Sequence, residues 1–236
     1  MLNVKEISII IPVFNEEESL STYYERLTNT LAELENRYDF EIIFTDNRST
    51  DRTFELLRKL AIKDSRLHAV RFSRNFGYQR SILTAYANAR GEAAIQLDCD
   101  LQDPPALVGE FIRLWEEGNV VVYGVRRSRQ EGLLINAARQ FFYRLIDWLS
   151  DIDLPRHAGD FRLVDRRVLD LVVASEDRNP YLRGMIARYG FRQVGVRYDR
   201  EPRHKGTSKF SFGEYLSMAF DGIVSQSIAP VRFATC

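Results

Sequence analysis

The sequence predicts an α/β fold, a mostly parallel sheet flanked by helices on both faces. Three observations carry that expectation. Apolar runs of strand length alternate with segments of helical period. The 236 residues, 45% of them hydrophobic, allow one sizeable core. No internal repeat, low-complexity tract or long linker divides the chain.

Ile7 to Phe14 is the first predicted strand, followed by a helix from Ser19 to Asn36. Phe40 to Thr45 and Thr50 to Lys63 repeat the pair, as do Leu67 to Phe72 and Tyr78 to Ala89. Glu92 to Leu97 is a fourth strand, with a helix after Pro104-Pro105, where proline suits a first turn. Asn119 to Val125 closes the series. Polar residues just beyond such strands are the expected functional ones, because ligands bind at the carboxyl edge of parallel sheets. Further on, a long helix is expected from Leu133 to Ser150, with Phe141, Phe142, Leu145, Trp148 and Leu149 on its apolar side. Phe161 to Val164 and Phe191 to Tyr198 read as strands added to the sheet edge. Phe212, Tyr215, Leu216, Ala219, Phe220, Ile223 and Val224 recur at steps of three and four, an apolar stripe opposite Glu214, Ser217, Asp221 and Ser225. Such a helix packs on a core or lies in a membrane interface; its polar face lacks the Lys and Arg usual for the second case.

Formal net charge is zero, so no overall field recruits nucleic acid. Residues 178–209 nevertheless hold nine Lys or Arg against only Asp199 and Glu201, a basic face suited to phosphate or a membrane surface, or simply a solvated one. Cys99 and Cys236 form neither a disulfide framework nor a zinc pattern, which fits a reducing compartment. Met1 leads within six residues into a strand-like run, so no signal peptide is expected, and no apolar stretch reaches the roughly 18 residues of a membrane span.

Asp98-Cys99-Asp100-Leu101-Gln102-Asp103 follows the fourth strand. Two carboxylates one residue apart can converge on a hard cation, and a bound cation relieves their repulsion. An acidic turn is the plainer alternative, with Asp103 before Pro104 capping a helix. After the first strand stands Pro12-Val13-Phe14-Asn15-Glu16-Glu17-Glu18 in place of a Gly-rich turn, which argues against a dinucleotide site. Those acids can accept hydrogen bonds from ribose or base. Thr45 to Asp51 forms a second polar loop, in which Ser49 or Thr50 could cap the next helix. Cations follow at Arg126, Arg127 and Arg129 and in Arg203-His204-Lys205-Gly206-Thr207-Ser208-Lys209, either phosphate ligands or surface charge. His68, His157 and His204 make no metal-spaced cluster, and no G-x-S-x-G elbow is present.

Together these segments resemble glycosyltransferase family 2, of the GT-A fold, and within it the polyprenyl-phosphate glycosyltransferases related to dolichyl-phosphate mannose synthase. The likeness runs from IIIPVFNEEE through RNFG, DCDLQDPP, GVRRSR, GDFRLVDRR and REPRHKGTSKF to AFDGIVSQSIAP. It implies a GT-A catalytic domain over residues 1–210 and an amphipathic juxtamembrane helix and tail over 211–236. By position, Pro12, Phe14, Asn15, Glu16, Asp46, Asn47 and Cys99 would hold the nucleotide-sugar. Asp98, Asp100 and Gln102 would surround Mg²⁺ or Mn²⁺. Arg126, Arg203, Ser208 and Lys209 would contact donor or acceptor phosphates. Asp160 matches the family's proposed base, with Asp100 the other expected catalytic carboxylate. The implied reaction is an inverting hexosyl transfer from a nucleotide-sugar, UDP-glucose first and GDP-mannose or UDP-N-acetylated sugars as alternatives. The implied acceptor is undecaprenyl or dolichyl phosphate, at the cytoplasmic face of a membrane and in a homo-oligomer.

A phosphate monoester has its second pKa at about 6. Its attacking oxygen is then mostly deprotonated near neutrality, so Asp160 is expected to orient the acceptor or a cationic partner. The family's Asp-Asp-Gly-Ser loop reads Asp46-Asn47-Arg48-Ser49, and Cys99 stands where Ala is common. Many relatives continue past a segment like APVRFATC into transmembrane helices. Ending at Cys236, the chain is expected to be a truncated form or a soluble member working with a membrane partner. A family 2 enzyme with a sugar-hydroxyl acceptor and a non-catalytic nucleotide-sugar scaffold are the alternatives.

Overall fold

The computed structural model describes residues 4–127, 158–175, 177 and 180–200. Seven strands form one sheet: β1 (Lys5–Val13), β2 (Tyr38–Asp46), β3 (Leu67–Arg71), β4 (Ala93–Gln96), β5 (Val121–Arg126), β6 (Ala158–Asp165) and β7 (Gln193–Tyr198). Their order is β3-β2-β1-β4-β6-β5-β7, and β6 alone runs antiparallel to its neighbours. The mostly parallel α/β architecture predicted from the sequence is present.

Helices α1 (Leu20–Ala32), α2 (Thr53–Lys63) and α4 (Val108–Glu116) cover one face. Helices α3 (Tyr78–Asn88), α5 (Arg166–Ala174) and α6 (Leu182–Arg188) cover the other. The division follows from strand alternation. Ile7, Ile9 and Ile11 of β1 pack with Leu27, Leu57 and Phe111 on the first face, while Ile10 packs with Ile82, Val168 and Ile186 on the second. With both faces covered, β1 and β2 read as near-continuous apolar runs.

Two expectations need correction. The strand around Phe161–Val164 is not at the edge: β6 lies between β4 and β5, pairing Ile95 with Leu163 and Val122 with Leu163. Its apolar core residues suit a central strand, and only β7 is an added edge. The second helix begins at Thr53, capped by neither Ser49 nor Thr50. Instead Asn15 N–H donates to Ser49 Oγ (2.9 Å) and Thr50 N–H to Asn15 Oδ1 (2.8 Å), tying the loops after β1 and β2 together. The predicted helices over 133–150 and 212–224 lie outside the described residues. No helix among the described residues is long and apolar enough to cross a membrane.

Candidate active site

The loops leaving β1, β2 and β4, the end of β5 and the start of β6 meet at one edge of the sheet. Because β6 runs antiparallel, its first residues arrive where β4 ends. The β4–β6 register pairs Gln96 with Arg162, and two residues further along each strand come Asp98 and Asp160. Chain reversal, not sequence proximity, brings these carboxylates together.

Asp98 accepts a 2.6 Å hydrogen bond from Tyr78 of α3. Burial, followed by the neighbouring carboxylates of Asp103, Asp100 and Asp160, pushes its pKa up to about 7, against the lowering effect of Tyr78. Asp100 accepts from Gln102 N–H (3.1 Å) and from Arg200 Nη2 (3.2 Å). Between them Leu101 adopts φ 61°, a left-handed conformation that costs a non-glycine residue about 1–3 kcal/mol. Cys99 is buried in the core under α1, and burial pushes its thiol up, so its side chain is a packing group.

Asp103 is not the helix cap expected of it. The turn it precedes, Pro105–Leu107, has no side-chain cap. Fully buried, Asp103 accepts from Tyr198 Oη at 2.5 Å, with Arg200 Nε at 3.5 Å and Arg126 Nη2 at 3.7 Å. Tyr198 Oη also receives Arg126 Nε at 3.3 Å. Gly124 makes room for this arrangement, since a Cβ there would lie 2.7 Å from the Tyr198 ring.

Asp160 is half-buried, with Oδ1 3.4 Å from Arg162 Nη2 and 3.3 Å from Arg183 Nη2. Arg162 also donates to Gly159 C=O at 3.0 Å. The Nε atoms of Arg162, Arg183 and Arg200 are buried with no hydrogen-bond partner among the described residues. Unsatisfied buried donors are costly, and these could receive further acceptor oxygens. Four carboxylates (Asp98, Asp100, Asp103, Asp160) thus face four guanidiniums (Arg126, Arg162, Arg183, Arg200).

The nucleoside residues implied by resemblance lie at the rim. Pro12 is buried within β1, while Phe14, Asn15 and Glu16 are half-buried beyond it. Asn15 adopts φ 55°, which asparagine tolerates. Glu16 accepts from Ser19 Oγ (2.7 Å) and Glu17 pairs with Arg52 (3.0 Å), so two of the three glutamates brace their own loops. Asp46 is fully buried: Ser49 N–H donates to it at 3.0 Å and Arg71 Nε lies 3.2 Å away. Asn47 accepts from Phe76 N–H (2.9 Å), linking the β2 loop to the turn before α3. Arg48, where the resembling family has glycine, keeps a left-handed φ of 66°. Arg203, Ser208 and Lys209 lie outside the described residues.

Sequence reading missed Tyr78, Gln96, Arg162 and Arg183. A signal existed for two of them. Gln96 and Arg162 stand two residues from Asp98 and Asp160, polar at inward positions of otherwise apolar strands.

Residues 8–172 match the family model of glycosyl transferase family 2. The chain belongs to that family. This glycosyltransferase is 38% identical to the uncharacterized glycosyltransferase YkcC of Bacillus subtilis, over 98% of its own length and 71% of the relative's. It is 33% identical to a prophage bactoprenol glucosyl transferase homolog of Escherichia coli, over 98% of this chain and 75% of that one. Among solved structures it is similar to a mannosyltransferase of Pyrobaculum calidifontis in complex with GDP-Man and Mn²⁺. The TM-score is 0.62 and the identity 17%, over 88% of this chain and 59% of that one. The glycosyltransferase therefore has the GT-A fold, and its carboxylate–guanidinium cluster lies at the sheet's ligand-binding edge.

Proposed function

We propose that this glycosyltransferase moves a hexose from a nucleotide-sugar onto a polyprenyl phosphate at a membrane surface, with a divalent cation. The observation that carries the reading is the meeting of Asp98, Asp100 and Asp160 with four guanidiniums, three of whose Nε atoms have no hydrogen-bond partner among the described residues. A reaction between two phosphate-bearing substrates needs that combination. The E. coli relative, by its name a bactoprenol glucosyl transferase homolog, supports the lipid acceptor and glucose as first choice of sugar.

Among the described residues no group of three or more His, Cys, Asp or Glu is placed to hold a metal by itself. Two carboxylates suit a Mg²⁺ or Mn²⁺ ion that takes most of its shell from water and diphosphate. Burial, followed by the neighbouring carboxylates, drives Asp98 up to about 7, and such an ion relieves the repulsion among them. Asp98 and Asp100 would hold it, with Gln102 alongside. When bound, it neutralises charge developing on the departing diphosphate.

The chain's own residues do the rest. The loop of Phe14 to Glu16 and the Asp46–Asn47 turn receive the nucleoside. Arg126, held by Asp103 and Tyr198, faces phosphate oxygens. Arg203, Ser208 and Lys209 are assigned the acceptor phosphate by resemblance. An acceptor phosphate oxygen attacks the anomeric carbon, the bond to the diphosphate breaks with its electron pair leaving on the nucleotide, and configuration inverts. Asp160 acts by holding Arg162 and Arg183 in place rather than by removing a proton, because the attacking oxygen is already largely deprotonated. Residues 211–236 are assigned to membrane contact at the cytoplasmic face, and self-association belongs to the same reading.

The test is transfer of radiolabelled sugar from a panel of UDP- and GDP-sugars to short-chain polyprenyl phosphate with Mg²⁺ or Mn²⁺. Chloroform-soluble label from UDP-glucose, abolished by EDTA and by Asp98→Ala, is expected. Label appearing only on a sugar-hydroxyl acceptor would overturn the assignment.

A further inference from the structure

Behind Asp98 runs a line of hydrogen bonds, buried at its inner end, that neither packing nor nucleotide binding requires. Tyr86 Oη, on α3, donates to Gln96 Oε1 at 3.2 Å. Gln96 Nε2 donates to Tyr78 Oη at 3.2 Å. Tyr78 in turn donates to Asp98 Oδ1 at 2.6 Å. Tyr86 and Gln96 are only 1% and 2% exposed, so the bond between them acts in a low-dielectric interior where it is strengthened.

The line has a direction. Each tyrosine has one proton to give. Because Gln96 presents its amide N–H₂ to Tyr78, the Tyr78 oxygen acts as acceptor there and its proton is left for Asp98. Turning the amide over would point Gln96 Oε1 at Tyr78, competing with Asp98 for that single proton. The Asp98 carboxylate, an acceptor only when ionised, claims that proton and so turns the amide N–H₂ toward Tyr78, leaving Oε1 to accept from Tyr86. The amide orientation thus follows from the network.

For stability alone an apolar residue would serve at position 96. Ala94 and Val164, on the same face, are apolar and fully buried. A buried glutamine costs free energy unless each of its groups is paired. Here every pairing leads toward the first carboxylate of the Asp98–Asp100 pair.

We infer that Tyr86, Gln96 and Tyr78 form a polarised relay whose end, Tyr78, is a positioning residue that fixes the Asp98 carboxylate for the divalent cation. This rests on the reading of Asp98 as a cation ligand. Partners of this kind, one step behind a metal ligand, typically alter metal affinity by about 10- to 100-fold when removed.

The experiment measures Mn²⁺ binding by electron paramagnetic resonance, in the presence of UDP, for the unmodified protein and for Tyr78→Phe, Gln96→Met and Asp98→Asn. Tyr78→Phe keeps the ring and should weaken Mn²⁺ binding by about tenfold or more, with turnover recovered at saturating Mn²⁺. Gln96→Met, which leaves Tyr78 in place but unoriented, should give a smaller loss in the same direction. A purely structural role would instead lower the melting temperature and leave Mn²⁺ affinity unchanged. Tyr78→Phe binding Mn²⁺ within about twofold of the unmodified protein, while Asp98→Asn loses it, would overturn the relay alone. Asp98→Asn binding Mn²⁺ as tightly as the unmodified protein would overturn the cation site, and the relay with it.

Discussion

Two carboxylates, one within the sheet and one just beyond it, have opposite fates. Glu41, toward the amino end of β2, is 2% exposed. It accepts from Ser8 Oγ (2.5 Å), from Arg90 through both N–H (2.5 Å) and Nε (3.0 Å), and from Gly91 N–H (3.3 Å). Burial alone would raise its pKa, but these donors outweigh it and the carboxyl sits below its usual range. Asp98, at the other end, has Tyr78 as its side-chain donor and three carboxylates for neighbours, and it is pushed up to about 7. Burial raises both; what differs is the supply of donors and the charge of the neighbours. Glu41 is saturated by donors of the fold, whereas Asp98 is left short of them.

The largest test of that contrast is Asp98→Asn. Losing several kcal/mol of charge stabilisation should lower sugar transfer about a thousandfold, read by the radiolabel assay. The same change should raise the melting temperature of the metal-free protein. Its pH dependence sharpens the point. A carboxyl raised to about 7 in the folded state holds a proton that the unfolded chain releases near pH 4. Metal-free stability from this group therefore falls as pH rises between those values. Denaturant titrations across that window should show the slope flattened in Asp98→Asn.

Glu41→Gln should do the reverse, costing about 3 kcal/mol of stability while leaving nucleotide-sugar affinity intact. The Glu41 contribution is present above its unfolded pKa and disappears as pH falls through its lower folded value. Tyr198→Phe removes the 2.5 Å bond to buried Asp103 and should cost about 1–2 kcal/mol, seen in chemical denaturation. Arg48→Gly relieves a left-handed φ of 66° and should add about 1 kcal/mol. At the bottom of the scale, Lys59→Ala breaks an exposed pair with Glu55 and should change stability by less than about 0.5 kcal/mol.

How much of this was legible beforehand follows from which forces act locally. Strand and helix identities from β1 to β5 depend on short-range periodicity, and the sequence carries them. So does the Asp98–Asp100 pair, whose members are neighbours in the chain. The placement of β6 was not legible, because a strand's position in a sheet is fixed by long-range pairing that leaves no mark on an apolar run. Arg162 and Arg183 were lost with it, since their meaning depends on Asp160 lying beside Asp98. Asp103 misled for a different reason. An aspartate before two prolines fits a helix cap, but Tyr198, 95 residues away, claims its oxygen.

The reversed strand has one more consequence. Val125, near the end of β5, pairs with Ala158 at the start of β6, beyond a register shift that follows Tyr123. The chain therefore leaves the sheet and re-enters it at adjacent points. Closing a loop between two points already held together costs little more entropy when the loop is lengthened. The β5–β6 pairing thus keeps the end of β5 beside the start of β6 whatever the length of chain between them.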